Sequence, residues 1–180
     1  MRISKKLFCL LIIVLSAVAC SDANLSKGDY EASVEYSIVD GVIILEEPER
    51  QAGQQSMLEF RAEPLDTVRV GFVGLGMRGP GAVERFTYID GVAINALCDK
   101  YLERAECCQA YLDRAGMPRA KVYSADEGYK QLCESDDIDL VYIATPWQLH
   151  VDVAVYAMEH GKHVAIEVPS ANTVEECWQL

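Results

Sequence analysis

Three glycines fall within six residues at Gly74-Leu75-Gly76-Met77-Arg78-Gly79, after an apolar run and before a stretch of helical character. Glycines at these intervals suit one kind of chemistry, the approach of backbone amides to a phosphate. The first permits a tight turn, the second admits a diphosphate to the backbone, and the third lets the next helix pack closely. Amides at the helix start, aided by the helix dipole, then hold negative charge without a basic side chain. Glycine-rich turns between strands and helices are common, so the pattern alone is weak. Asp99 strengthens it: it closes the next apolar run, twenty residues after Gly79, where a carboxylate accepts hydrogen bonds from an adenosine ribose. A carboxylate there also repels a ribose phosphate, which favours NAD over NADP; its alternative use is to cap the following helix. Arg78 stands at a helix start, where a cation opposes the dipole. An anionic neighbour such as the cofactor phosphates would account for it, and a plain surface residue is the alternative.

Two later segments hold further candidates. Thr145-Pro146-Trp147-Gln148-Leu149-His150 follows an apolar run at the edge where open α/β sheets bind ligands. Trp147 and His150 suit either packing on a nicotinamide or ordinary loop packing. Glu167-Val168-Pro169 closes the apolar run Val164-Ala165-Ile166. A glutamate there wants a hydrogen-bond partner, unless it is a solvated strand end.

The scaffold these residues need is visible from Thr67 onward. Val68 to Leu75 reads as a strand buried on both faces, Pro80 to Ile89 as a helix, Val92 to Cys98 as a strand, and Tyr101 to Ala115 as an amphipathic helix closed by Gly116. A short strand Lys121 to Tyr123, a helix from about Asp126 to Glu134, a strand Leu140 to Ala144, a helix Val151 to Glu159 stopped by Gly161, and a strand His163 to Val168 follow. Alternation at these intervals predicts βαβ units with right-handed crossovers. The expected fold class is α/β, a doubly wound parallel sheet of Rossmann type over 67–180, with strand order 3-2-1-4-5.

Before that domain the chain has a different character. Arg2, Lys5 and Lys6 precede an apolar run from Leu7 to Val18, and Ala17-Val18-Ala19 leads to Cys20. This reads as a signal peptide over 1–19, too short for a permanent span of roughly 20 apolar residues. It resembles a bacterial lipoprotein signal, which implies export and acylation of Cys20 as the membrane anchor; plain secretion to the periplasm is the alternative. Residues 20–66 read as an acidic tether with one possible hairpin, Ser33 to Val39 and Val42 to Glu46 around Asp40-Gly41. Removing 1–19 takes away three of the 16 basic residues and none of the 28 acidic ones, leaving a net charge of −15. Such a surface repels phosphate backbones and anionic membrane faces, so nucleic acid is excluded as a partner and membrane contact is expected only through the lipid. Cys98, Cys107, Cys108, Cys133 and Cys177 form no C-x-x-C pair and read as small buried apolar residues. No metal site is expected. The segment from Thr173 to Leu180 begins as a helix should but carries no stop signal, so the chain is expected to end before its fold does.

With these residues in hand, Val70 to Leu180 resembles the N-terminal domain of the glucose-fructose oxidoreductase, inositol dehydrogenase and MocA family. Within it the chain looks most like the exported glycoside hydrolases of family 109. The runs Gly74 to Gly79, Ala144 to Trp147, Gly161 to Pro169 and Thr173 to Trp178 carry the likeness. The resemblance implies NAD contacts at Met77, Arg78, Asp99, Trp147, Gln148, Leu149, His150, Glu167 and Val168, beside the glycines Gly74, Gly76 and Gly79. The wider family's dehydrogenases have lysine where this chain has Val168, and that lysine assists proton transfer at the oxidised carbon. Valine moves no proton, so the glycosidase branch is favoured. What the resemblance implies is an NAD-dependent hydrolysis of N-acetylgalactosaminides: transient oxidation at C3 of the sugar, loss of the acidified C2 proton, elimination at C1, addition of water, and reduction of the ketone. Its acid and base are expected in a C-terminal domain beyond this sequence, so the 180 residues alone should lack turnover, and copies are expected to associate through surfaces left uncovered. An NAD-dependent sugar oxidoreductase using another base is the first alternative. A non-catalytic lipoprotein that binds NAD or carbohydrate is the second.

Overall fold

The computed structural model describes residues 36–45 and 49–180. The predicted signal peptide and Cys20 lie outside the described residues. The chain divides into two compact units, one holding the hairpin and the other holding residues 49–180.

In the first unit, β1 (Tyr36–Val39) pairs antiparallel with β2 (Val42–Leu45), Val39 facing Val42 across the turn. Asp40 and Gly41 both take positive φ, 52° and 81°. A two-residue turn of this kind matches the strands' right-handed twist, and Asp-Gly is among the pairs that adopt it most readily.

In the second unit, β3 (Val68–Val73), β4 (Val92–Cys98), β5 (Lys121–Tyr123), β6 (Leu140–Ile143) and β7 (His163–Ile166) form one parallel sheet in the order β5-β4-β3-β6-β7. That is the doubly wound order read from the sequence. Helices α1 (Gly79–Phe86) and α2 (Leu102–Ala115) share one apolar layer with Phe72, Leu97 and Leu112. Helices α3 (Gly128–Cys133) and α4 (His150–Glu159) share the other with Val73, Val141 and Ile143. Alternate residues of a strand face opposite sides, which is why Phe72 and Val73 serve different layers. A short α5 (Val174–Gln179) follows, opened by a capping box in which Thr173 and Glu176 satisfy each other's backbone amides.

Several ends differ from expectation, each for a local reason. Helix α1 stops at Phe86 because Thr87, Tyr88 and Ile89 donate to carbonyls three residues back, a tighter winding than the α form. Strand β7 stops at Ile166: Glu167 donates to the Ile143 carbonyl at 2.9 Å, then the chain turns off through a cis Val168–Pro169 bond. Two cysteines depart from the buried reading. Cys107 and Cys177 are exposed because they fall on the solvent sides of α2 and α5, whereas Cys98, Cys108 and Cys133 are buried. Burial pushes the Cys98 and Cys133 thiols up to about 12 and Cys108 up to about 11, so none of the three forms a thiolate at neutral pH.

Candidate functional site

The chain order reverses at β3, which has β4 on one side and β6 on the other. The loops leaving β3 and β6 therefore diverge above the carboxyl ends of the strands, the place where open α/β sheets form a binding crevice. The sequence fills this place with the glycine turn on one side and Thr145 to His150 on the other.

The three glycines of the turn are glycine for different reasons. Gly74 has φ 91°, and a Cβ on it would stand 2.6 Å from the backbone of Ala144 and Thr145. At Gly79 a Cβ would meet the Gly74 carbonyl oxygen at 2.0 Å. The protein's own packing demands both. Gly76 is different, because a Cβ there would meet only the Arg104 guanidinium, at an ordinary 3.5 Å. Nothing among the described residues requires glycine at 76, whereas a diphosphate lying on the turn would. Met77, 92 % exposed, and Arg78 stand out from the same turn. Arg78 is the N-cap of α1 and places no side-chain bond on it; Pro80 in the first turn offers no N–H. Among the described residues Arg78 forms no ion pair with an acid.

Asp99 is only 6 % exposed, and its carboxylate is used inward. Oδ2 accepts from the Leu75 amide at 2.7 Å and Oδ1 from the Tyr101 amide at 2.9 Å. The first bond fixes the glycine turn and the second shapes the entry to α2, so the capping use of Asp99 is present in the structure. A carboxylate has about four acceptor positions, which leaves capacity for a ribose hydroxyl. Arg104, in the first turn of α2, brings Nη1 to 3.6 Å from Oδ1.

Across the crevice, Trp147–Leu149 form one turn of 3-10 helix, with Trp147 57 % exposed and Gln148 and Leu149 also open to solvent. His150 does not share that exposure. Its ring is 1 % exposed, with Nδ1 2.7 Å from the Pro169 carbonyl oxygen and Nε2 2.9 Å from that of Thr145. The ring lies between the loop after β6 and the loop after β7, so the loop-packing role is present in the structure. Glu167 has the partner its position asked for: Tyr142 Oη donates to Oε1 at 2.7 Å. Burial first, and then the Glu167 carboxylate, hold the Tyr142 hydroxyl above the ordinary phenol range. Val168 is 78 % exposed on the same edge.

Two groups emerge here that sequence reasoning did not single out. Thr145 Oγ1 is buried beside the glycine turn without a hydrogen-bond partner among the described residues, an arrangement that costs stability unless a ligand supplies one. Arg104 lies over Gly76 and Asp99; its signal was a cation in the first turn of a helix, where the dipole disfavours it. The open space at Gly76, the unpaired Thr145 hydroxyl and the uncapped start of α1 all fit a dinucleotide diphosphate and the sugar next to it. A cavity of about 320 Å³ lies elsewhere, lined by the amino-terminal half of β4, Met117 to Arg119 and Asp137, away from this constellation.

Known proteins resemble this chain in sequence and in fold. The chain is 51% identical to glycosyl hydrolase family 109 protein 4 of Phocaeicola vulgatus, over 98% of this chain and 34% of that protein. It is likewise 51% identical to glycosyl hydrolase family 109 protein 1 of Bacteroides thetaiotaomicron, over 98% of this chain and 36% of the relative. The chain thus spans about a third of the length of these curated relatives. Among solved structures, myo-inositol dehydrogenase from Lactobacillus casei, in complex with NAD(H) and myo-inositol, superposes with a TM-score of 0.52 at 29% identity. That match covers 61% of this chain and 31% of the dehydrogenase. The family model GFO_IDH_MocA, described as an oxidoreductase family with an NAD-binding Rossmann fold, matches residues 68–180. On that match the chain belongs to the GFO_IDH_MocA oxidoreductase family, whose NAD-binding Rossmann fold its second unit adopts.

Proposed function

We propose that this chain is the NAD-holding part of an exported glycoside hydrolase acting on N-acetylgalactosaminides. The observation that carries the cofactor site is Gly76, where nothing among the described residues calls for glycine. The amides of the turn and of the α1 start bind the diphosphate, with Arg78 as the adjacent cation. Asp99 orders the turn through Leu75 and offers its remaining lone pairs to the adenosine ribose. Trp147, Gln148, Leu149, Glu167 and Val168 line the nicotinamide side, and Thr145 Oγ1 donates to the bound molecule. Bound NAD supplies reversible hydride transfer, which the side chains of this unit cannot perform. Glu167, held by Tyr142, orients a ligand on the β7 side; Val168 offers an apolar surface and carries no proton. Half-identity to proteins named glycosyl hydrolase family 109 supports the hydrolytic reading.

Gly76→Val tests the cofactor site. The expected result by calorimetry is loss of NAD binding with an unchanged melting temperature, because a Cβ at this position meets the end of the Arg104 side chain and no backbone among the described residues. Retained NAD affinity in this variant overturns the site. The reaction is tested on the full-length protein: an aryl N-acetylgalactosaminide should release nitrophenol without net NADH. Accumulation of NADH instead favours a sugar oxidoreductase, a reading supported by the likeness to myo-inositol dehydrogenase.

The basic start, apolar run and small residues before Cys20 support anchoring through a lipid on that cysteine. Cys20→Ala should move the protein from the membrane fraction to the soluble fraction; unchanged membrane association would sink the anchor.

A further inference from the structure

We infer that Arg104 sets which dinucleotide the site accepts, by placing a cation at the ribose 2′ position so that NADP is held alongside NAD. The inference rests on the cofactor reading above. A carboxylate after the second strand of such a sheet ordinarily excludes a 2′-phosphate, and an arginine nearby accommodates one. Here the two occur together, and they face differently.

Asp99 points inward, its two oxygens held by the Leu75 and Tyr101 amides. Arg104 sits outside it: Nη1 is 3.6 Å from Asp99 Oδ1, and the guanidinium carbon lies 4.6 Å from the centre of the Tyr101 ring. The same Nη1 would be 3.5 Å from a Cβ on Gly76. The guanidinium therefore spans the ground between the diphosphate turn and the ribose carboxylate, its side chain about half exposed. It neutralises the Asp99 charge that would repel a phosphate. Its planar fork can also donate to phosphate oxygens in pairs.

Lys100, the residue after Asp99, is otherwise engaged, since its Nζ pairs with Asp126 at 2.8 Å. Arg104 is also in the first turn of α2, where the dipole disfavours a cation. One carboxylate, already accepting two amides, is its only acidic partner among the described residues. A further anion on the guanidinium would complete the cluster.

Calorimetry with NAD and NADP as probes tests this on the full-length protein. For the unaltered protein, NADP should bind within about a hundredfold of NAD, given charge-assisted bonds of the usual strength. Arg104→Gln should weaken NADP on the order of a hundredfold while weakening NAD by less than about fivefold. Arg104→Lys should restore part of the NADP affinity, and Lys100→Gln should leave the ratio unchanged. A general loss of structure would lower both ligands together and leave their ratio intact, so the ratio is the decisive readout. NAD binding with NADP excluded beyond a hundredfold, or an equal loss of both ligands in Arg104→Gln, overturns the inference and leaves the cofactor site standing. Binding of neither ligand by the unaltered protein overturns the site itself and this inference with it.

Discussion

A methyl group added at Gly79 would lie 2.0 Å from the Gly74 carbonyl oxygen, whereas one added at Gly76 would touch only the end of a flexible side chain. The two glycines therefore fail differently when replaced. Gly79→Ala should destabilise the domain by about 3 kcal/mol, lowering the melting temperature on the order of 10 °C, as calorimetric scanning would show. Gly76→Val should spare stability and remove the ligand. An unchanged melting temperature in Gly79→Ala would mean that helix and turn can separate without cost. At this scale the sequence disclosed the residues but not their duties. Spacing marked Asp99 for ribose, yet its bonds to Leu75 and Tyr101 depend on a side-chain direction that spacing does not encode. Tyr142 was legible only as a strand residue; its bond to Glu167 needs the pairing of β6 with β7.

At the scale of elements, α4 does more than cover the sheet. Its first residue, His150, joins the loops after β6 and β7 through two carbonyl oxygens. His150→Phe keeps a ring of similar width and removes the N–H that a neutral imidazole donates to one of these part-buried oxygens, at about 1–3 kcal/mol. Hydrogen exchange should then quicken at residues 145–149 and 167–170 while α2 stays protected, and NAD should bind more weakly. Uniform exchange across the domain after this change would show that the ring does not join the loops. Strand and helix identity was legible because buried strands are continuously apolar while helices carry apolar residues at helical spacing. The 3-10 turn at Trp147–Leu149 was not, since three residues contain no period to detect. The exposure of Cys107 beside buried Cys108 follows from helical phase, with adjacent residues about 100° apart around the axis.

At the scale of the whole unit, the strand ends opposite the crevice are held by a different chemistry. Asp139, at the entry to β6, accepts from the Arg69 amide and from Arg69 Nε, both at 2.9 Å, and donates its own amide to the Arg69 carbonyl at 2.8 Å. The hydrogen bond from the Arg69 side chain is the main cause that holds the Asp139 carboxyl below the usual carboxylate range. A carboxyl depressed on folding contributes stability that is present above its unfolded value, about 3.9. That contribution disappears as the pH falls through the folded value. The melting temperature of the native protein should therefore approach that of Asp139→Asn as the pH drops below about 4. A difference between the two that is constant from pH 7 to 3 would exclude this contribution. The strand order was legible because alternating strands and helices admit few right-handed windings, whereas the Arg69 and Asp139 lock joins residues seventy positions apart.

Parallel strands send the polypeptide back to the far rim after each pass. The handovers from α2 to β5 at Gly116 and from α4 to β7 at Gly161 both lie on that rim. Those two handovers are where the backbone can be opened, lengthened or permuted. New termini at either one would leave every cofactor-facing loop uncut, whereas a nick on the near rim would sever the grip itself.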